Sequence, residues 1–171
     1  MPTVGVLVTL PEPALSELDG YRFGIGDQNP AEVPSHITLL PPTEVDDGDL
    51  VAIEEHLATA AAGHAPYRVH LRGTATFQPV SPVVFVVLAE GIARTEQLAA
   101  AVRSGPLDVE LAYPYHPHVT VAYDVDQEVL DRAFEDFAGY DRAFDVAEFH
   151  LYTQGADGRW RHTRRFDLGE A

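Results

Sequence analysis

Two short stretches decide the reading of this chain: Pro34-Ser35-His36-Ile37-Thr38-Leu39 and Pro117-His118-Val119-Thr120-Val121-Ala122. Each places His-x-Thr just behind a proline, in a run of strand-forming residues. Side chains alternate across a strand, so His and Thr at i and i+2 point the same way, ~7 Å apart. Ile37 and Val119, between them, turn toward the hydrophobic layer.

Working outward, the same elements recur on both sides of the two stretches. Val4-Gly5-Val6-Leu7-Val8 reads as a buried strand, and Val83 to Leu88 repeats it. A helix starting at Asp47 or Asp49 carries Leu50, Ile53, Leu57 and Ala61 on one face. Its counterpart is a helix capped by Asp126 that carries Val129, Leu130, Ala133, Phe134 and Phe137. The strand Tyr67 to Phe77, with Val69, Leu71, Gly73, Ala75 and Phe77 on one side, matches a strand from Phe144 to Tyr152. Four elements in one order, offset by 77 to 82 residues, define an internal duplication. The remaining pieces are a short helix from Glu12 to Tyr21, a strand from Ser35 stopped by Pro41-Pro42, and a helix from Ile92 to Val102. A short strand is expected from Val109 to Ala112, and a last strand from Arg159 to Leu168 behind the turn at 154–158. The expected fold is α+β: a bilobal, internally duplicated domain over residues 1–171, with two sheets and flanking helices around a central cleft. The pseudo-repeat lobes cover about 1–80 and 81–171, with a boundary near Gln78 to Pro82.

Composition bounds the chemistry. The chain has 171 residues, with 46% hydrophobic and 22% charged, as in an ordinary globular fold. It lacks cysteine, which excludes disulfides, thiol nucleophiles, thiolate zinc sites and iron–sulfur clusters. All eleven basic residues are arginine, and 27 acidic residues bring the net charge to −16. Such a charge repels duplex nucleic acid, yet tolerates a small anion in a locally positive pocket. The longest apolar run, Val83 to Ala89, is far short of a bilayer span of ~20 residues. The N-terminus has no signal-peptide pattern, so a soluble cytoplasmic protein without a membrane partner is expected.

A duplicated fold can set its two equivalent strands side by side about a pseudo-two-fold axis. Two His-x-Thr pairs would then face one cleft, and two imidazoles with two hydroxyls suit a phosphate. One neutral imidazole can take a proton while the other, protonated, gives one, since histidine titrates near pH ~6.5. A single His-x-Thr on a strand carries little information. Two copies at equivalent positions of a repeat carry much more.

The two stretches resemble the paired signature of the 2H phosphoesterase superfamily, in its bacterial 2′-5′ RNA ligase-like, cyclic phosphodiesterase branch. The likeness extends over nearly the whole chain, down to the closing Trp160 and Phe166-x-Leu168. It implies a metal-independent enzyme acting on 2′,3′-cyclic phosphate ends or 2′-5′ phosphodiester bonds of RNA or nucleotides, by hydrolysis or by ligation. His36 and His118 would be the acid/base pair, and Thr38 and Thr120 would hold the phosphoryl oxygens. It implies no cofactor and no metal. The net charge favours a small nucleotide or an RNA-terminal cyclic phosphate as partner, and the internal duplication favours a monomer.

Five further residues are candidates for substrate contact. His116 lies two before His118, and Tyr115 and Tyr123 flank the second stretch. Phe77 lies at the lobe junction, where it could stack on a base. Arg159, Arg161, Arg164 and Arg165 form the one basic spot, and strict alternation puts Arg164 on the face of Trp160, His162, Phe166 and Leu168. Two other readings compete with catalysis without metal. One is a nucleotide- or phosphate-binding module without turnover. The other is a metallohydrolase built on His36, His116 and His118.

Overall fold

The computed structural model describes residues 1–169. The elements run β1 (Thr3–Thr9), α1 (Ala14–Gly24), β2 (His36–Glu44), α2 (Leu50–Ala62), β3 (Tyr67–Thr76), β4 (Val83–Glu90), α3 (Ile92–Val102), β5 (His118–Tyr123), α4 (Gln127–Asp136), β6 (Asp141–Val146), β7 (Glu148–Gln154) and β8 (Trp160–Asp167). Two four-stranded sheets result, in the orders β2-β1-β7-β8 and β5-β4-β3-β6, and every pairing is antiparallel. The fold is α+β, with four helices over the two sheets.

The two sheets have the same plan. The first strand of each half lies between the second strand of its own half and a strand from the other half. A cut at residues 78–82 therefore falls inside the second sheet, between the paired strands β3 and β4. The connection there is short, so the two strands close as a hairpin instead of parting into separate sheets.

One face of each sheet is buried under helices. Ile37 and Val119 are fully buried, and they join Val6, Val86, Ile53, Leu57, Leu98 and Leu130 in one continuous core. Burying a side chain of this size contributes about 1.5–3 kcal/mol. This burial fixes the register of β2 and β5, because a slip of one residue would turn Ile37 or Val119 to solvent. His36, Thr38, His118 and Thr120 consequently face the other way, half-buried.

Several expectations from sequence need correction. β2 does not stop at Pro41-Pro42 but continues to Glu44. It is an edge strand with a register shift at that point, and an edge tolerates a residue that cannot donate. The expected strand Phe144 to Tyr152 is two strands that meet at Ala147 and lie in different sheets. Val109 to Ala112 forms no strand; Leu107 anchors that stretch in the core, but none of the sheet pairings reaches it.

Two bulges also overturn the strict alternation. In β3 the register shifts between Leu71 and Thr74, at Gly73 with its φ of 77°. The left-handed backbone favours glycine there, and the extra residue reverses the faces beyond it. Val69 and Leu71 therefore lie in the core, while Ala75 pairs with Phe85 on the opposite face, toward which Phe77 also points. In β8 the shift falls between the pairs Leu151–Arg164 and Tyr152–His162 and absorbs Thr163. Trp160 and His162 thus share a face with Arg165, not with Arg164.

Candidate functional site

β2 and β5 are the edge strands of their sheets, and they lie against each other. They bring the two His-x-Thr pairs to one cleft. In register, His36 sits opposite Thr9 and Thr38 opposite Leu7 on β1, while His118 sits opposite Val87 and Thr120 opposite Phe85 on β4. The motif residues are offset by 82 and their partners by 78 at both positions, so the two motifs take equivalent places in their sheets.

Each histidine is held in the same way. His36 Nδ1 lies 2.7 Å from the carbonyl of Pro34, and His118 Nδ1 lies 2.7 Å from the carbonyl of His116. A carbonyl can only accept, so Nδ1 carries the hydrogen and donates it. The neutral ring then presents the lone pair of Nε2 on its far side. Both rings are thereby fixed in one tautomer and one orientation.

Their electrostatics differ. Burial pushes His36 down to about 4, against the bond to Pro34, with the charges of Arg22 and His118 adding to the fall. Burial also lowers His118, with a contribution from His116. Its ring meets Phe77 and Phe85 edge-to-face, at centroid distances of 4.9 and 5.1 Å. The charge of His118 is felt at His36, which places the two rings in one electrostatic neighbourhood.

A cavity of ≈ 270 Å³ opens on the His36 side. His36, Thr38, Gly5 and Leu7 line its floor, and Tyr152 and Trp160 line its far wall. Arg22, in the last turn of α1, and Asn29 and Glu32, in the connection from α1 to β2, complete the lining. Arg22 is 7% exposed and was not among the sequence candidates. Its Nε donates to Asp27 Oδ2 at 2.7 Å, and Nη2 lies at 2.7 Å from the same oxygen. The signal in the sequence was faint: an arginine near the end of an otherwise small helix, with an aspartate five residues on.

The other candidates divide. Phe77 belongs to the cleft, packed on His118 and on the ring of His116 at 5.6 Å. His116 is exposed; its carbonyl orients His118, and its ring packs on Phe77 and Phe85. Tyr115 does not offer its ring to a ligand. Its hydroxyl donates to the Thr38 carbonyl at 2.6 Å, tying the approach to β5 onto β2, and Arg103 covers the ring at 4.8 Å. Tyr123 is exposed at the far end of β5, opposite Val83. Arg164 is turned away from the cleft by the β8 bulge; it lies over Phe166 at 4.7 Å and reaches Glu54 of α2 at 3.4 Å. Among the described residues, no three His, Asp or Glu side chains gather in a group that could hold a metal ion.

Fold and site together define a class: a two-sheet α+β protein in which two edge strands present matched His-x-Thr pairs to one cleft. The chain belongs to the 2'-5' RNA ligase superfamily, whose family model matches residues 10–158. A relative from Bacillus licheniformis is 30% identical over 170 residues, covering 95% of this chain and 97% of its own. A Bacillus pumilus relative is 31% identical over 174 residues, covering 96% of both. Both bear the name "Putative phosphoesterase". Among solved structures, E. coli LigT complexed with 3'-AMP superposes with a TM-score of 0.73 at 22% identity, over 99% of each chain. No helix among the described residues is long and apolar enough to cross a membrane.

Proposed function

We propose that the protein is a metal-independent two-histidine phosphodiesterase acting on 2′,3′-cyclic phosphate ends or 2′-5′ phosphodiester bonds of RNA or small nucleotides. The observation that carries this reading is the matched pair of histidines. Each donates Nδ1–H to the carbonyl two residues before it, and each stands beside a threonine on the cleft face. The superfamily membership and the LigT complex with 3'-AMP support the substrate class.

The environments of the two rings support one division of roles in hydrolysis. His36, pushed down by burial and by Arg22, is neutral at pH 7 and is the general base. His118 is the general acid; a phosphate monoanion beside it favours its charged form and offsets the effect of burial. Water loses its proton to His36 Nε2 as its oxygen bonds to phosphorus. The phosphorus–oxygen bond to the ribose breaks, and that oxygen takes the proton from His118 Nε2. The product is a phosphomonoester, and the two histidines exchange their protons through solvent before the next turn. The hydroxyls of Thr38 and Thr120 donate to the non-bridging oxygens, where charge builds in the transition state. Ligation is the reverse reaction with a ribose hydroxyl in place of water, and the net charge of −16 favours short substrates for it. We further read residues 1–171 as one bilobal domain, monomeric and cytoplasmic.

The test is turnover of nucleoside 2′,3′-cyclic phosphates in excess EDTA by wild type, His36→Ala, His118→Ala and the double variant. Activity should survive the chelator, each single variant should lose at least ~10²-fold, and the double should be little worse, as for groups that act as a unit. Loss of activity in EDTA, or additive losses, overturns the mechanism.

A further inference from the structure

The pseudo-symmetry of the catalytic pairs is not shared by their surroundings. On the His118 side, Phe77, Phe85 and His116 pack around the imidazole. On the His36 side lies the ≈ 270 Å³ cavity. For a substrate whose phosphate is held between the threonines, this cavity offers a place for the nucleoside, along sheet β2-β1-β7-β8.

The polar groups of that cavity specify a chemistry. Arg22 uses Nε and Nη2 on Asp27, side-on. This leaves the other edge of the guanidinium, one N–H of each Nη, as a two-pronged donor on a residue that lines the cavity. Glu32 uses one oxygen, Oε1, to accept the backbone N–H of Trp160 at 2.8 Å, which leaves Oε2 as an acceptor. Trp160 lies against Gly5, where even a methyl group would already be in contact with the ring at 3.7 Å, and Tyr152 stands beside it. The pocket thus offers aromatic rings, a pair of donors and a carboxylate acceptor.

A second phosphate does not fit this set. Asp27 neutralises Arg22, and Glu32 adds a negative charge, so the pocket repels another anion. A nucleobase does fit, and its pattern is restricted. The Arg22 fork needs two adjacent acceptors, and Glu32 needs a donor edge. Guanine supplies both, with O6 and N7 side by side and N1–H with the amino group next to them. Adenine puts an amino group where the fork needs an acceptor. Uracil has no adjacent acceptor pair. Cytosine carries one, but its single ring gives less stacking surface on Trp160 and Tyr152 than a purine does.

We infer that the cavity formed by Arg22, Glu32, Tyr152 and Trp160 is a guanine-recognition pocket, so that the preferred substrate carries its cyclic or 2′-5′ phosphate on a guanosine. The inference rests on the proposed reaction for its kinetic form but not for binding.

Two measurements separate them. The first is calorimetric binding of 3′-GMP, 3′-AMP, 3′-CMP and 3′-UMP to the wild-type chain, which needs no turnover. The second is kcat/KM for the four nucleoside 2′,3′-cyclic phosphates. Guanine should lead in both by about 10- to 100-fold, the range of a good bidentate base contact. Glu32→Gln keeps an acceptor for Trp160 N–H and should cut that lead about tenfold. Arg22→Lys, which loses the fork, should also cut the guanine lead. Equal binding of all four bases, a lead for another base, or variants that weaken all four alike would overturn the pocket. Selective binding of 3′-GMP without turnover of any cyclic phosphate would uphold the pocket and overturn the proposed reaction instead.

Discussion

Replacing His36 by glutamine should make the protein less sensitive to acid. In the folded chain His36 titrates at about 4, well below its ordinary 6.5, chiefly because burial disfavours the imidazolium. Above pH 6.5 both folded and unfolded chains hold it neutral, and it contributes nothing to pH dependence. Between 6.5 and 4 the unfolded chain takes the proton and the folded chain does not, so stability falls as the pH drops. Below 4 the loss is complete. A shift from 6.5 to about 4, at ~1.36 kcal/mol per unit, is a loss of about 3 kcal/mol, most of it already present at pH 4.5. The assay is urea unfolding of wild type and His36→Gln at pH 7.5 and 4.5. The many carboxylates of this acidic chain affect both proteins alike, so the difference between them isolates the histidine. Wild type should lose about 2–3 kcal/mol more than the variant over that interval. A parallel loss in both would show that His36 ionises freely in the folded state, and would refute its assignment as a buried neutral base. An NMR titration of the His36 ring in the wild type reads the same quantity directly.

Three further outcomes follow from the site. Thr38→Val and Thr120→Val keep the strand and remove a hydroxyl; each should lower kcat by about 10²-fold with cyclic phosphate substrates, with little change in melting temperature. Tyr115→Phe removes the bond to the Thr38 carbonyl and should cost about 1 kcal/mol in urea unfolding, with a rise in KM as the two edge strands loosen. Gly73→Val forces a β-branched residue into φ of 77° and should cost about 1–3 kcal/mol; because the bulge aims Phe77 at His118, activity measured on the remaining folded protein should fall as well.

Much of the candidate site was legible in the chain. His36 and His118 stand out because a short motif was copied together with its flanking strand pattern, and Ile37 and Val119 turn inward as alternation requires. Arg164 shows where such reasoning fails. Alternation counts residues along one strand, but a bulge is a property of two paired strands. Thr163 drops out of the count only because the partners of β8 on β7 are Leu151 and Tyr152, with no residue between them. Gly73 did mark the corresponding break in β3 by its residue type, although the sign of φ follows from the fold. Arg22 was hidden for another reason. Its burial and its place beside His36 depend on the connection that folds back over sheet β2-β1-β7-β8, and no local period encodes that path.

The amino-acid sequence by itself determined the fold class, the duplication, the core-facing residues of the two central motifs and the pairing of two histidines with two threonines. These depend on local periodicity and on repetition, which one dimension records. Only the tertiary structure decided that the halves share strands between sheets and that Tyr115 braces one motif against the other. It alone placed a cavity beside His36 and made His36 the more strongly perturbed of two histidines in matching His-x-Thr motifs. Such differences arise from what comes close in space: the burial of one ring, with an arginine nearby, and two phenylalanines against the other.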